Sequence, residues 1–362
     1  TEIYTLSLHD ALPISQLALK LRGLGAKDMY AFIRLLPMSA KEFLDEWFES
    51  DVLKAALASL GIHNANLGVM SAGSAYNLLH QYLIRGGWGQ PAQDSRQVIA
   101  ALESAAKSFG AQIRASAEVE RVTGLRLTTG EQIPAVSVLS STDPKHTFLR
   151  LITPEPLDPE FVWQAQHIKM RGVTAKIHIA CDPSIRFSAL RQPSVPESDS
   201  PATYIIAPSL AYLERAYDAA KYGQISEKPV LEITTAGNLL SIHFQFAPYF
   251  LKKSTWNDET RNTLEQITLS TLAEFIPNLK SQTKTLKSLT PLDLETSFSL
   301  TEGDPHHGQL MLDQFFFMRP IPGCANHETP IEGIYLCGSG LHGGGGVSGI
   351  PGRNAAKTIL KK

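Results

Sequence analysis

The sequence predicts a mixed α/β and α+β protein in which two domains are interleaved along the chain. Apolar residues recur at helical spacing over 16–85, and runs typical of strands dominate between 173 and 246. The chain then closes with an apolar strand, a glycine-rich loop and a helix. Its 362 residues give room for about two domains.

The first residues differ in character from the rest. The chain starts at Thr1, and TEIYTLSLHDALPI is what one reading frame of a common sequencing-library adapter would encode. We therefore expect residues 1–15 to be an adapter-derived scar and leave them out of the fold reasoning. On this expectation the chain is a C-terminal fragment of a longer protein, and a genuine native segment is the alternative.

The segment 16–85 is predicted to form helices. Ser39 is a predicted N-cap, because Glu42 stands three residues later, as in a capping box, and an apolar periodic run follows. Gly61 is the predicted end of that helix. A further helix in SAYNLLHQYLI is predicted to stop at Gly86.

Residues 86–150 predict an α/β arrangement. SRQVIAALESAAKSF has the pattern of an amphipathic helix ending at Gly110, and AEVERV, LRLTTG and AVSVLSST have the pattern of short strands. The last of these strands is predicted to be buried and to end in polar residues. Asp143 before Pro144 predicts the start of another helix.

Residues 151–317 predict a second sheet with helices. Four segments are predicted strands: GVTAKIHIA, TYIIAP, PVLEITTA and LLSIHFQFAPY. In the last of them every second residue from Leu240 to Phe246 is apolar, so these side chains would share one face. DETRNTLEQITLSTLAEF predicts a helix closed by Pro277.

The loop YLCGSGLHGGGGVSGIPGRNAA contains a dinucleotide-fingerprint match at Gly338, Gly340 and Gly343. That fingerprint opens a βαβ unit and needs an acidic residue about 20 positions later. After Gly343 there is space for one helix, and no Asp or Glu follows. The loop instead predicts close backbone approach to a large planar or anionic ligand, since β-carbons are missing and a helix begins there. A flexible tail and a direct nucleotide-phosphate binder stay open as alternatives.

Composition and charge exclude several classes of protein. A net charge of −2 and the lack of a basic block give no reason to expect a nucleic-acid partner. The three widely spaced cysteines form neither a disulfide framework nor a metal clip, which favours a reducing compartment. No apolar run reaches the roughly 18 residues of a membrane helix. We expect a soluble, cytoplasmic protein, with peripheral membrane contact and oligomeric state left open.

A few polar side chains near the loop are candidates for chemistry. His306 and His307 are adjacent and would face opposite ways in a strand, so no metal site is predicted. One of them could relay a proton or contact substrate. Arg319 could pair with a carboxylate or meet a cofactor or substrate, whereas Tyr335 and 315–317 are expected in the core. No catalytic side chain is identified, and no Ser-His-Asp set is present.

The C-terminal signature LMLDQFFFMRPIPG…TPIEGIYLCGSGLHGGGGVSGIPGRNAA resembles that of the FAD-dependent phytoene desaturase-like oxidoreductases of the amine oxidase superfamily. The likeness continues upstream through FLDEWFESDVLKAALA, GGWGQ, GAQIRASAEVERV and VLSSTDPKHTFLRL. It implies an incomplete FAD/NAD(P)-binding Rossmann-like domain interleaved with a mixed-sheet and helical substrate domain. The implied segments are 16–85 and 151–317 for the substrate domain and 86–150 and 318–362 for the FAD domain.

The resemblance also implies which residues bind FAD. It places Val119 at the adenosine end and the 140–143 strand end in the same domain. Residues of the glycine loop would lie beside the flavin ring: Gly338, Ser339, Gly346, Val347 and Gly349. Gly343 stands where relatives usually have proline, which should loosen the loop, and Ser339 stands where more distant flavin oxidases have an acid.

The resemblance implies an FAD-dependent oxidoreductase that moves hydride from a small apolar, isoprenoid-like substrate to flavin. The upstream fingerprint that holds the FAD pyrophosphate is absent from the sequence, so we expect this chain alone to bind FAD poorly and to be inactive. The alternative is a flavoprotein fold that serves as a binding or assembly module without turnover.

Overall fold

A computed structural model of the chain describes residues 18–84, 95–152, 157–182, 202–344, 346 and 348–361. These residues form two compact units. The first, unit 1, comprises the described parts of Thr1–Ile33, Tyr82–Lys169 and His306–Lys362. The second, unit 2, comprises those of Arg34–Gln81 and Met170–Pro305. The chain therefore leaves and re-enters both units, which confirms the predicted interleaved, mixed helix-and-sheet class.

The secondary-structure elements follow in chain order. The helices are α1 (Ala26–Leu35), α2 (Ala40–Asp45), α3 (Asp51–Ile62), α4 (Ser74–Ile84), α5 (Ser95–Ser108), α6 (Pro144–His146), α7 (Pro159–Gln166), α8 (Leu210–Lys221), α9 (Asp258–Ala273), α10 (Leu279–Gln282), α11 (Pro291–Phe298) and α12 (Ile350–Ile359). The strands are β1 (Val119–Arg121), β2 (Arg126–Leu127), β3 (Val138–Ser140), β4 (Thr174–Cys181), β5 (Ala202–Ile206), β6 (Val230–Ala236), β7 (Leu239–Gln245), β8 (Thr283–Leu289) and β9 (Ile334–Leu336).

The expected FAD-domain segments 86–150 and 318–362 fall inside unit 1. Parts of the segments expected in the substrate domain also fall in unit 1, namely 18–33, 82–84, 151–152, 157–169 and 306–317. Hydrogen bonds explain the placement of 306–317, because Lys169 N–H donates to the Gln314 side chain at 2.6 Å. Gln309 N–H in turn donates to the Lys169 carbonyl at 2.8 Å. The limit of unit 1 in this region therefore follows these hydrogen bonds and not the expected limit at 318.

Unit 2 is built on a five-stranded antiparallel sheet in the order β5-β6-β7-β4-β8. The four predicted strands of this region are confirmed, and Leu240, Ile242 and Phe244 of β7 are all buried. One face packs against α9 through Leu264 and Leu272. The strand β8 was not predicted, because TKTLKSL has few apolar residues. It lies at the sheet edge, where lysines discourage pairing with other chains.

Local caps set the helices of unit 2. Ser39 forms the predicted capping box with Glu42 and starts α2. The predicted single helix is two, because Ser50 caps α3 anew through Leu53 N–H. Gly61 is not the helix end: it lies within α3, where a β-carbon would meet the Ser74 carbonyl at 2.8 Å. A close helix crossing, rather than a stop, requires glycine there.

Unit 1 contains two small sheets, a β1–β2 hairpin and a parallel pair of β3 with β9. The predicted helix α5 is confirmed and is followed by Gly110 at a φ of 89°. The prediction that β3 is buried is wrong, since Leu139 is 44 % exposed. With β9 as its only paired strand among the described residues, β3 keeps one face uncovered.

No helix among the described residues is long and apolar enough to cross a membrane.

The central strand of the larger sheet offers a test of this core. Ile242→Ala should lower the free energy of unfolding by about 2–4 kcal/mol, because a fully buried side chain is replaced by a cavity. Leu239→Ala, in the same strand but 38 % exposed, should cost under about 1 kcal/mol. Urea unfolding of both variants measures the difference, and equal losses would contradict the assigned packing.

Candidate functional site

The candidate site is positioned by the parallel pair of β3 and β9. Ser140 lies opposite Leu336, and Cys337 N–H donates to the Ser140 carbonyl at 2.8 Å. Both strands therefore end at the same edge, which is where ligands bind to parallel sheets. The polar stretch 140–143 and the glycine loop, defined here as residues 338–349, follow directly from these strand ends.

A hydroxyl cluster closes the end of β3. Ser140 Oγ lies 2.7 Å from Thr147 Oγ1, and Thr142 Oγ1 lies 2.8 Å from the same atom. Asp143 accepts a hydrogen bond from His146 N–H at 2.9 Å and caps α6, with Pro144 at its first position. The helix start predicted at Asp143 is thereby confirmed, and the strand end is held rigidly by its own side chains.

The first glycines of the loop pack against the chain itself. A β-carbon at Gly338 would lie 2.4 Å from the Ser141 carbonyl, and one at Gly340 would lie 2.6 Å from the Pro144 ring. At Gly344 it would lie 2.1 Å from the Ser339 carbonyl oxygen. All three distances are impossible for a side chain, so these glycines allow the loop to lie directly on the β3 end.

The later glycines serve a different purpose. Gly343, Gly346 and Gly349 have φ values of 77°, 63° and 65°, a region that side chains disfavour. Gly349 precedes α12, and a β-carbon at this position would meet no other atom within 4 Å. Proline could not occupy Gly343 in this conformation, because its φ is fixed near −65°. Val347, a predicted cofactor residue, lies outside the described residues.

Arg319 holds the loop in place. It is 2 % exposed, and its guanidinium donates to five backbone carbonyls. Two belong to the loop, Ser339 at 3.1 Å and Leu341 at 3.3 Å. The other three belong to the 306–309 segment: His306 at 2.7 Å, Gly308 at 3.1 Å and Gln309 at 3.3 Å. Sequence reasoning proposed a carboxylate or a ligand for Arg319 and missed this clamp between two segments.

Two half-buried imidazoles, those of His307 and His342, belong to the clamped segments. Burial lowers the pKa of His307, an effect that Arg319 strengthens and Asp143 opposes. Burial likewise lowers the pKa of His342, whose ring lies 5.2 Å from that of Phe316. These two side chains are therefore neutral near pH 7.

The structure brings some predicted site residues together and not others. Gly338 lies against the 140–143 stretch, and Ser339, Gly346 and Gly349 follow in the same loop. Val119 lies in β1, opposite Leu127, in a sheet separate from the β3–β9 pair. Tyr335 and Phe315 are buried core residues, as predicted, whereas Phe316 and Phe317 are only half-buried. Within the described ranges, no cluster of three or more His, Cys, Asp or Glu could hold a metal ion.

The clamp predicts a large stability effect. Arg319→Met keeps the apolar stem but removes a donor from five backbone carbonyls, of which those of Gln309 and Leu341 keep a second donor, so the free energy of unfolding should fall by about 3 kcal/mol. Arg114→Met removes an exposed ion pair with Glu131 and should cost less than about 1 kcal/mol. Urea unfolding compares the two. Equal losses would show that Arg319 does not clamp the loop.

The buried imidazoles predict a loss of stability in acid. Burial lowers the pKa of His327, so the unfolded chain binds its proton first and the fold weakens as pH falls below about 6.5. His327 has a φ of 75°, which asparagine tolerates. In His327→Asn the free energy of unfolding should depend less on pH, by up to about 1.4 kcal/mol per pH unit. Unfolding midpoints measured at several pH values test this, and an unchanged slope would contradict it.

The chain is similar to proteins that are named oxidoreductases or desaturases. No protein-family model matches the chain. Pyridine nucleotide-disulfide oxidoreductase domain-containing protein 2 of Rattus norvegicus is 32 % identical over 371 residues, covering 94 % of this chain and 63 % of the rat protein. The Mus musculus protein of the same name gives the same values. The chain thus spans less than two thirds of the length of these relatives.

Two more distant likenesses were found. A phytoene desaturase (lycopene-forming) of a Paracoccus species is 24 % identical over 300 residues, covering 78 % of this chain and 56 % of that protein. The crystal structure of an oxidoreductase from Methanosarcina mazei superposes with a TM-score of 0.51 at 16 % identity, over 99 % of this chain and 74 % of that one. The second likeness shows a shared fold.

The desaturase-like signature at the C-terminus therefore reflects common descent. The chain is homologous to pyridine nucleotide-disulfide oxidoreductase domain-containing protein 2 over 94 % of its own length.

Proposed function

We propose that this chain is part of an FAD-dependent oxidoreductase and that its glycine loop lies beside the flavin ring. One observation carries the proposal: the 140–143 strand end and Gly338 meet at the carboxyl edge of a parallel strand pair. This edge is the usual ligand position of such sheets. The names of the homologues, oxidoreductase and desaturase, support the same function.

The residues of the loop fit a flavin. Gly349 presents bare backbone to open space, so a flat ring can approach it without meeting a side chain. The N-terminus of α12 favours a negatively polarised group. Gly338, Ser339, Gly346 and Gly349 would hold the ring, with Val119 at the adenosine end and Val347 outside the described residues. When bound, FAD supplies the hydride acceptor at N5.

The side chains of this unit would position the glycine loop and exclude water from the site, and none of them is proposed to react. Arg319 fixes the loop through backbone carbonyls, and the core residues Phe315 and Tyr335 keep the β9 side of the site free of water. Flavin enzymes of this kind can work without an indispensable acid or base, so no catalytic side chain is proposed. The substrate we propose is small and apolar, and the isoprenoid in the name of the Paracoccus relative supports that class.

We further propose that the cofactor domain is incomplete in this chain and that FAD affinity is consequently weak. Helix α5 is amphipathic, yet Ile99 and Leu102 are 55 % and 61 % exposed. Leu139 of β3 is also exposed, although parallel strands are normally covered on both faces. These uncovered apolar surfaces support a domain that needs further elements to close it.

Two matched glycines test the position of the cofactor. Gly349→Ala and Gly124→Ala introduce the same strain, because their φ values are 65° and 63° and both face open space. Only Gly349→Ala puts a methyl group where the ring is proposed to lie, so it alone should weaken FAD binding, by about tenfold or more. Ligand-observed NMR with FAD in large excess measures even weak affinity in the 362-residue chain.

Two results would contradict the proposal. If the wild-type chain shows no saturable FAD binding, the cofactor assignment is wrong. If both variants lose the same affinity, FAD binds but the loop does not contact it.

A further inference from the structure

Unit 2 contains a groove that lies outside the proposed cofactor site. It is lined by residues of α8, α9 and the loops 223–228 and 251–254, and it has a volume of about 1310 Å³. Pockets that bind small molecules typically measure about 300 to 1,000 Å³. The groove therefore has room for a molecule of this size.

Main-chain hydrogen bonds fix the two loops of this groove. Lys252 N–H donates to the Gly223 carbonyl at 2.9 Å, and Ser226 N–H donates to the Phe246 carbonyl at 3.2 Å. Gly223 has a φ of 70°, and a β-carbon there would lie 2.9 Å from the Lys252 nitrogen. The shape of the groove is therefore held by the backbone and does not depend on surface side chains.

The floor of the groove is apolar. Ile225, Leu251 and Ile267 line it and are only half-buried. Ile225 and Ile267 also pack against the core of the five-stranded sheet, so the floor is an extension of that core. An apolar chain that lies on these side chains would remove them from water, which is favourable.

Cationic side chains line the same groove. Arg215, Lys228 and Lys253 are exposed, and none of them forms an ion pair with another residue in the part of the chain that the structure describes. Arg215 Nε donates to the Ala211 carbonyl of its own helix at 3.2 Å, which uses one N–H group of the guanidinium. The other N–H groups of Arg215 are available to a ligand.

Two carboxylates complete the charged lining. Glu227 and Glu259 are exposed, and neither is paired with a cation among the described residues. Glu259 lies in the first turn of α9, where the helix dipole stabilises a negative charge. The three cations are therefore not neutralised within the groove.

The floor and the cations together favour one class of ligand. A neutral apolar molecule would leave the cations without a partner, and an inorganic anion would leave the floor in water. A membrane surface is broad and cannot enter a groove between two helices. A free molecule with an acidic group and an apolar chain satisfies both features at once.

We propose that this groove binds a free amphipathic anion, that is, an acidic head group that carries an apolar chain. Arg215, Lys228 and Lys253 would bind the head group, and the chain would lie along the floor. The site is separate from the proposed flavin site, and its test does not depend on FAD.

Three probes test the class of ligand. Calorimetric titration with decanoate should show saturable binding that weakens as salt is added. Decanol, which lacks the charge, and butyrate, which lacks the chain, should each bind at least about tenfold more weakly. Equal binding of decanoate and decanol, no saturable binding of decanoate, or binding of the protein only to phosphatidylglycerol vesicles would overturn the proposal.

Two matched substitutions locate the site. Thr263 and Ser270 are exposed on α9, and their hydroxyls donate to carbonyls of the same helix, those of Glu259 and Ile267. Of the two, only Thr263 lines the groove. Thr263→Trp should fill the groove and weaken decanoate binding about tenfold or more, whereas Ser270→Trp should stay within about twofold of wild type. Equal affinities of the two variants would contradict the assigned position.

A third variant tests the cations without risk to the fold. Lys253→Gln changes an exposed side chain, so it should leave the melting temperature unchanged. It should weaken decanoate binding about threefold and leave decanol binding as it is. Lys284→Gln, exposed in β8 and outside the groove lining, is the control and should change neither. A wild-type affinity for decanoate in Lys253→Gln would overturn the inference while the proposed function stands.

Discussion

The site depends on one buried guanidinium. Arg319 joins two segments, 306–309 and 339–341, by giving them donors that neither could supply from its own backbone. A planar fork with five N–H groups is the one side chain that can satisfy so many carbonyls at once. Because Gly344 leaves room above the Ser339 carbonyl, the loop can fold back over the same clamp. The conformation of the glycine loop is therefore held by hydrogen bonds from a guanidinium that is almost fully buried.

The glycines of the loop divide by physical role. Those near the strand end, Gly338 and Gly340, are required because the chain presses against itself there. Those before α12 are required by backbone conformation, and Gly349 alone faces open space among the three with left-handed φ. The spacing of Gly338, Gly340 and Gly343 thus has two separate causes: close packing at the first two and a left-handed backbone at the third.

Local signals in the sequence were sufficient for much of the fold. The capping box at Ser39 and the Asp143–Pro144 helix start act within a few residues, so both could be predicted. The polar edge strand β8 could not, because its stability comes from pairing with β4 rather than from its own apolar pattern. The second cap at Ser50 was also missed, since the apolar periodicity continues through the break.

The candidate site depends even more on contacts between residues that are distant in the sequence, which sequence patterns do not reveal. The sequence predicted close backbone approach of the glycine loop to a ligand, whereas its first glycine approaches the Ser141 carbonyl, almost two hundred positions earlier in the chain. The clamp by Arg319 depends wholly on tertiary contacts, and no pattern of spacing could have revealed it. The sequence singled out His306 and His307, and Arg319 joins this segment to the loop by donating to the His306 and Ser339 carbonyls.

The central claim is that the clamped glycine loop receives the flavin. Amide hydrogen exchange of the 362-residue chain, with and without saturating FAD, tests it most directly. The account predicts that added protection concentrates in residues 306–308 and 338–349, with the unit 2 sheet unchanged. Protection confined to unit 2, or FAD binding that leaves the glycine loop exchanging at its free rate, would contradict it.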